Sequence, residues 1–285
     1  MVAASSSGPS SGSLPRVAVS MSGCGFLGTY HFGAAICMRK HAKALLRRTS
    51  RYAGSSMGSL VAAILAVCPD KLEESLSTMY AVSAEVSAQR LGALTPGYSL
   101  IRTLEAHVDQ VLPADAHARA TGRLFVSVTE LASKRNRLLS AFESKRALTQ
   151  ALIASCYIPI YAGIGEKPPL IDHMECADGG LTDNLPRFDG DETSEDFLPT
   201  VTVSPFACDN CDVCPKDVGR TPFEWTMRVA NHDLQVNIQN IQRAAQALFP
   251  PAQPKLEQYY QLGYRHTMKF LLEHGFFERD AGSAV

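Results

Sequence analysis

The sequence predicts an α/β fold with a mainly parallel central sheet. Three observations carry that expectation. A strand, a helix, a second strand and a second helix follow one another within the first 67 residues, the order of a parallel layer covered by helices. The stretch Gly54-Ser55-Ser56-Met57-Gly58 has G-x-S-x-G form and falls at the second strand-to-helix junction. Composition allows a sizeable core, because 46% of the 285 residues are apolar.

The elements follow in order. Residues 16–23, RVAVSMSG, alternate β-branched and small side chains and stop at glycine, as a buried strand does. A helix is expected from Gly28 to Leu46 and a short strand from Thr49 to Gly54. Ser56 to Val67 is apolar all round, which predicts a helix buried on most sides. Pro69 opens the next helix, with Asp70, Glu73 and Glu74 near its positive end. LTPGYS, Leu94–Ser99, is a turn, and Leu100, Leu104, Val108 and Leu112 form a helical seam after it. RLFVSVTEL and TVTVSPF read as strands, and Ser144 caps a helix between them. Past Thr221 the pattern is helical: Leu234, Ile238, Ile241, Ala245 and Leu248 share one face, Pro250-Pro251 ends that helix, and an amphipathic helix closes the chain. Residues 187–197 form an acidic surface insertion, and residues 1–15 read as a disordered leader without a secretory pattern.

Charge and length limit the function classes. Net charge is −1, with basic residues scattered, so no nucleic-acid partner is expected. No run reaches the roughly 18–20 apolar residues of a spanning helix. The expectation is a cytoplasmic protein, with peripheral contact to lipid droplets or intracellular membranes. Cys208, Cys211 and Cys214 make two C-x-x-C steps, which can supply three thiolates to zinc with Cys176 or a histidine as the fourth ligand. No second C-x-x-C or H-x-H pair follows nearby, so an exposed loop of reduced thiols is expected and no metal or organic cofactor is assigned.

Three glycine-framed stretches carry the chemistry. At Ser56 the elbow needs Gly54 and Gly58 because the chain turns sharply and the helix packs close to the strand. Ser56 is therefore the candidate nucleophile, with Met57 beside it; the bland reading is a helix cap. GCGFLG, Gly23 to Gly28, matches a dinucleotide loop, but the second strand ends without an acidic residue. A glycine loop beside an elbow aims amides at a developing oxyanion instead, with Cys24 and Gly25 as candidate donors. In ADGGLTDNLP, Asp178 precedes Gly179 and Gly180, a carboxylate able to approach another backbone closely or an ordinary Asp-Gly turn. No histidine lies in a site-like motif. His31 follows the glycine loop, and His232 and His266 come after Asp178 within helical patterns, which keeps a Ser-Asp-His order open.

Together GCGFLG, GSSMG and DGG, in that order, resemble the patatin-like phospholipase family. SCYIPIYAG, DGGLTDNLP, TVTVSPF and QALFPP resemble its adipose triglyceride lipase and adiponutrin branch. The resemblance spans about Val17 to Phe277. It implies a three-layer α/β/α fold, a catalytic domain over residues 16–190 and a mainly helical extension over 191–285 packed on it. It implies Ser56 as nucleophile, Asp178 as base, an oxyanion loop over Gly23, Cys24, Gly25 and Gly28, and no cofactor. Substrates would be acyl esters (triacylglycerols, phospholipids, retinyl esters), with transfer to lipid alcohols beside hydrolysis. Met57 stands where Ala is common in the family and is expected to narrow the acyl site. A conventional esterase with a late histidine and a non-catalytic lipid-binding module are the alternatives.

Overall fold

The computed structural model describes residues 16–189, 198–216, 226–230 and 232–279; the leader and residues 190–197 of the acidic insertion lie outside them. The elements are β1 (Val17–Met21), α1 (Gly28–His41), α2 (Lys43–Arg48), β2 (Thr49–Ser55), α3 (Ser56–Val67), α4 (Leu72–Ala88), α5 (Leu100–Val111), α6 (Ala116–Ala120), β3 (Leu124–Glu130), β4 (Asn136–Leu139), α7 (Lys145–Ser155), β5 (Leu170–Ile171), β6 (Met174–Asp178), β7 (Thr200–Val203), β8 (Thr226–Val229), β9 (His232–Gln235), α8 (Ile238–Leu248) and α9 (Gln253–Glu273).

The sheet runs β5-β6-β3-β2-β1-β7, with β4 paired to β3 off that path. Its centre, β3-β2-β1-β7, is parallel, and β4, β5 and β6 add antiparallel pairs. Helices flank it, giving the expected α/β/α layers. β1 is buried at every position, as a central parallel strand covered on both faces must be. Residues 57–67 of α3 are all buried, which explains why its sequence is apolar all round.

Several boundaries differ from expectation. The helix expected over residues 28–46 breaks at Ala42, whose φ of −142° is incompatible with a continuing helix. Residues 232–235 are not helical: β9 pairs antiparallel with β8, and α8 begins only after Asn237, whose side chain caps it by accepting from the Asn240 amide at 2.7 Å. His232 is therefore on a strand. β4, β5 and β6 carry no strong alternation, because their faces are mixed; β4 and β6 pair with β3, and β5 pairs with β6.

Candidate active site

Ser56 opens α3 with a φ of +50°, a left-handed conformation that a non-glycine residue holds only when its surroundings enforce it. The enforcement is visible. The Ser56 amide donates to Ser155 Oγ at 2.8 Å, and Ser155 Oγ in turn donates to the Ser127 carbonyl at 2.7 Å. The elbow glycines permit the close packing: a Cβ at Gly54 would meet the Gly58 carbonyl carbon at 2.6 Å, and one at Gly58 would meet the Ser22 oxygen at 2.5 Å. Ser155 opens the SCYIPIYAG stretch at the end of α7, far along the chain, and nothing in that stretch by itself ties it to the Ser56 amide.

Asp178 ends β6. Its carboxylate and the thiol of Cys156 both lie within hydrogen-bonding reach of the Ser56 hydroxyl. The Gly180 amide donates to Asp178 Oδ1 at 2.7 Å, while the Asp178 amide donates to the Tyr157 carbonyl at 2.7 Å. Burial pushes the carboxyl up to about 6, against the lowering effect of the Ser56 and Gly180 hydrogen bonds. The neighbouring Cys156 is held as a neutral thiol, because burial and then the Asp178 charge raise its pKa well above the usual range.

The glycine loop crosses the other side of the serine. Gly23 is not free to donate elsewhere: its amide bonds Asn184 Oδ1 at 3.0 Å and the Asn184 carbonyl at 3.2 Å. Among the described residues no group accepts from the amides of Cys24 and Gly25, the latter at φ +51°. Asn184 is the pivot of the site. The Gly23 N–H can only donate, so its bond to Oδ1 fixes the amide with Nδ2 facing His232 Nδ1 at 3.2 Å, and Ser55 Oγ donates to the same Oδ1 at 3.1 Å. His232 Nδ1 must then accept, and Nε2 carries the proton.

No histidine lines the cavity around Ser56. His31 is fully buried and its Nε2 meets the Ser22 carbonyl at 2.8 Å; His266 Nδ1 is paired with the Tyr30 hydroxyl at 2.8 Å. Burial lowers both His31 and His232 to about 4, so each is neutral at pH 7.

The cavity measures about 430 Å³ and brings together Gly23, Cys24, Gly25, Ser56, Met57, Asp178 and Gly180 with a mostly apolar wall. A second, mainly apolar hollow of about 70 Å³ adjoins it, and Met57, Met79, Val82 and Leu104 line both. Met57 fits there because position 28 has no side chain; a Cβ at Gly28 would collide with Met57 Cγ.

The exposed cysteine loop expected at 208–214 is not observed. Cys208, Cys211 and Cys214 are all buried, because residue 213 adds to the edge of β7 and residue 208 bridges to Leu234 of β9. Cys176, proposed from sequence as their partner, instead lies in β6 opposite Glu130 of β3.

Residues 19–189 match the profile of the family described as patatin-like phospholipase. The chain is 38% identical over 270 residues to human patatin-like phospholipase domain-containing protein 4, covering 93% of this chain and 100% of that one. The chain belongs to the patatin-like phospholipase family. It is also 37% identical to human patatin-like phospholipase domain-containing protein 2, over 92% of this chain and 49% of that protein. Human omega-hydroxyceramide transacylase is 34% identical, over 89% of this chain and 45% of that protein. The chain thus spans all of the first relative and about half of each of the other two. Membership puts it among lipid acyl hydrolases and acyltransferases.

Proposed function

We propose that the protein is a serine lipid acyl hydrolase that cleaves carboxylic esters through a Ser56–Asp178 dyad and an acyl-enzyme, and passes the acyl group to water or to a lipid alcohol. The observation that carries this reading is Ser56 at the positive end of α3, within reach of a buried carboxylate and facing a largely apolar cavity. A carboxylate of ordinary pKa, about 3.9, is a poor base for a serine hydroxyl. Burial brings Asp178 to about 6, closer to the pKa that suits a base at neutral pH.

The steps follow from these positions. Asp178 takes the Ser56 proton as Oγ attacks the ester carbonyl. The oxyanion faces the unused amides of Cys24 and Gly25. The departing alkoxide recovers the proton from Asp178, leaving the acyl group on Ser56. Asp178 then deprotonates water or an acceptor alcohol, which attacks the acyl-enzyme, and the proton returns to Ser56 as it leaves. The Gly23 amide is reserved for Asn184 and holds the loop rather than the substrate.

The acyl chain would run down the apolar wall toward Met57 and the smaller hollow. Triacylglycerol, phospholipid and retinyl ester are the candidate classes. The transacylase among the relatives supports a lipid alcohol as acceptor. Contact with a lipid surface has support from α8. Ile238, Ile241, Leu248 and the adjoining Phe249 are exposed, at 71%, 66%, 39% and 54%, while Asn240 and Arg243 face inward. That inverted helix borders the cavity through Ala244, Ala247 and Leu248. Among the described residues no helix is long and apolar enough to cross a membrane, so the contact would be peripheral.

The test is a fluorophosphonate probe followed by peptide mapping. Labelling at Ser56, abolished in Ser56→Ala, is expected; an unlabelled folded protein returns the non-catalytic reading. Activity on mixed lipid esters should fall at least about 10²-fold in Asp178→Asn. If Asp178→Asn stays active while His232→Ala or His266→Ala does not, the dyad is wrong and a triad replaces it.

A further inference from the structure

Away from the serine, three thiols converge. The Sγ atoms of Cys208, Cys211 and Cys214 all lie within 4.8 Å of one another. They are 1%, 4% and 3% exposed and share their small cluster only with Leu185, apart from the main core. Three thiols in a core normally pack as small apolar groups against aliphatic neighbours. Here the three sulfurs gather together, with the Cys214 thiol also donating to the Cys208 and Cys211 carbonyls at 3.4 Å.

We propose that Cys208, Cys211 and Cys214 bind one thiophilic divalent ion, zinc, through three thiolates, with a water completing a tetrahedron. Zinc–sulfur bonds of about 2.3 Å in tetrahedral array put the sulfurs roughly 3.8 Å apart, so the observed spacing needs only a small contraction. On binding, each S–H bond breaks and an S–Zn bond forms, and three protons leave to solvent. Three thiolates and one zinc carry a net charge of −1. Lys216, whose ammonium donates to the Cys211 carbonyl at 3.2 Å, stands beside the site to balance it, while the nearby Arg187 is already paired with Asp189 at 3.0 Å.

The backbone that presents the thiols is already rigid. Asp212 Oδ2 accepts from the Thr202 amide at 2.8 Å and from its hydroxyl at 2.6 Å, and the Val213 amide donates to the Thr202 carbonyl at 2.9 Å. Among the described residues no other Cys, His, Asp or Glu donor joins the three sulfurs. His232 is excluded because Asn184 occupies its Nδ1 and its Nε2 therefore bears the proton.

The ion would tie the exit of β7 to β9. That tie bears on the active site, because β9 carries His232, His232 holds Asn184, and Asn184 holds Gly23 and Ser55. Its role would be structural support of the glycine loop, not chemistry on the substrate.

The full chain, purified under reducing conditions from zinc-supplemented cells, should contain about one zinc per chain by mass spectrometry of metals. Cobalt substitution should give a thiolate-to-cobalt charge-transfer band. Cys211→Ser and Cys214→Ser should each lose the metal while circular dichroism shows a folded chain, and Cys176→Ser should keep it. A strong chelator should lower the melting temperature of the parent and leave that of Cys211→Ser unchanged. A folded parent that neither carries nor takes up zinc overturns the proposal. So does a disulfide between any two of the three in the non-reduced digest, or metal that survives in the Cys211→Ser/Cys214→Ser double variant.

Discussion

A carboxylate buried beside a serine hydroxyl has to work near its own pKa. If Asp178 is the base, activity should rise with pH along a limb of apparent pKa about 6 and plateau above it. A limb near 4 in kcat/KM would mean the titrating group is not this one. The same burial acts on stability, with the opposite sign. The folded pKa is raised, so between about pH 4 and pH 6 the native state holds a proton that the unfolded state has lost. Stability therefore falls as pH rises through that window, and above pH 6 the charged carboxylate costs about 3 kcal/mol. Asp178→Asn, which retains an acceptor for Gly180, should melt higher than the parent at pH 7.5, with the difference shrinking toward pH 4. Equal melting at both values would show that burial does not strain this charge. Met57 governs a second residue-scale effect. Met57→Ala should join the two apolar hollows and favour acyl chains longer by two methylenes by about tenfold in kcat/KM, at about 0.8 kcal/mol per buried methylene. An unchanged chain-length profile across nitrophenyl esters would remove Met57 from the acyl path.

Among the elements, α8 is where pattern and outcome part. The apolar stripe Ile238, Ile241, Ala245, Leu248 is legible in the sequence, and helical periodicity normally sends such a stripe to the core. Here the polar face goes in. Asn240 Oδ1 accepts from the Ala207 amide at 2.9 Å and its Nδ2 donates to the Ala207 carbonyl at 2.8 Å, and Arg243 donates to the same Oδ1 at 2.8 Å. These bonds satisfy backbone groups that no apolar side chain could, so the helix is anchored by its polar side and its apolar side is left outward. Ile238→Ser with Ile241→Ser should therefore lower binding to phospholipid vesicles several-fold while sparing hydrolysis of a soluble short-chain ester. Loss of both activities together would make α8 a folding element rather than a surface contact. The elbow and the glycine loop are the opposite case. Their glycines are required by close backbone approach, and a local requirement of that kind leaves a local signature. The contact of Ser155 with the Ser56 amide and the tautomer of His232 leave none, because a pairing between distant elements has no local pattern to read.

At the scale of the whole molecule, α9 covers α1. α1 is buried along almost its whole length, and α9 buries Leu256, Tyr259, Phe270 and Leu271. Paired polar groups cross the contact, with the Tyr264 hydroxyl meeting His41 Nε2 at 2.8 Å beside the Tyr30–His266 pair. We propose on this basis that residues 191–285 fold with residues 16–190 as one cooperative unit. Leu271→Ala, a fully buried truncation, should cost about 2–5 kcal/mol and lower the melting of the entire chain. Helix loss and loss of probe labelling at Ser56 should then coincide on heating; a separate early transition confined to α9 would break the unit in two.

The sequence by itself determined the α/β layering, the elbow at Ser56, the glycine loop and the DGG turn, because each is imposed by neighbours along the chain: an all-apolar helix, a turn that excludes side chains, a strand that stops at glycine. Only the tertiary structure decided what meets Ser56. Asp178 arrives from β6, a strand whose pairing is borrowed from β3, and Asn184 arrives with it to hold Gly23. The structure also turned α8 outward and gathered the cysteines inward. Burial depends on what the other side of a segment touches, and that is set by contacts between residues far apart in the chain.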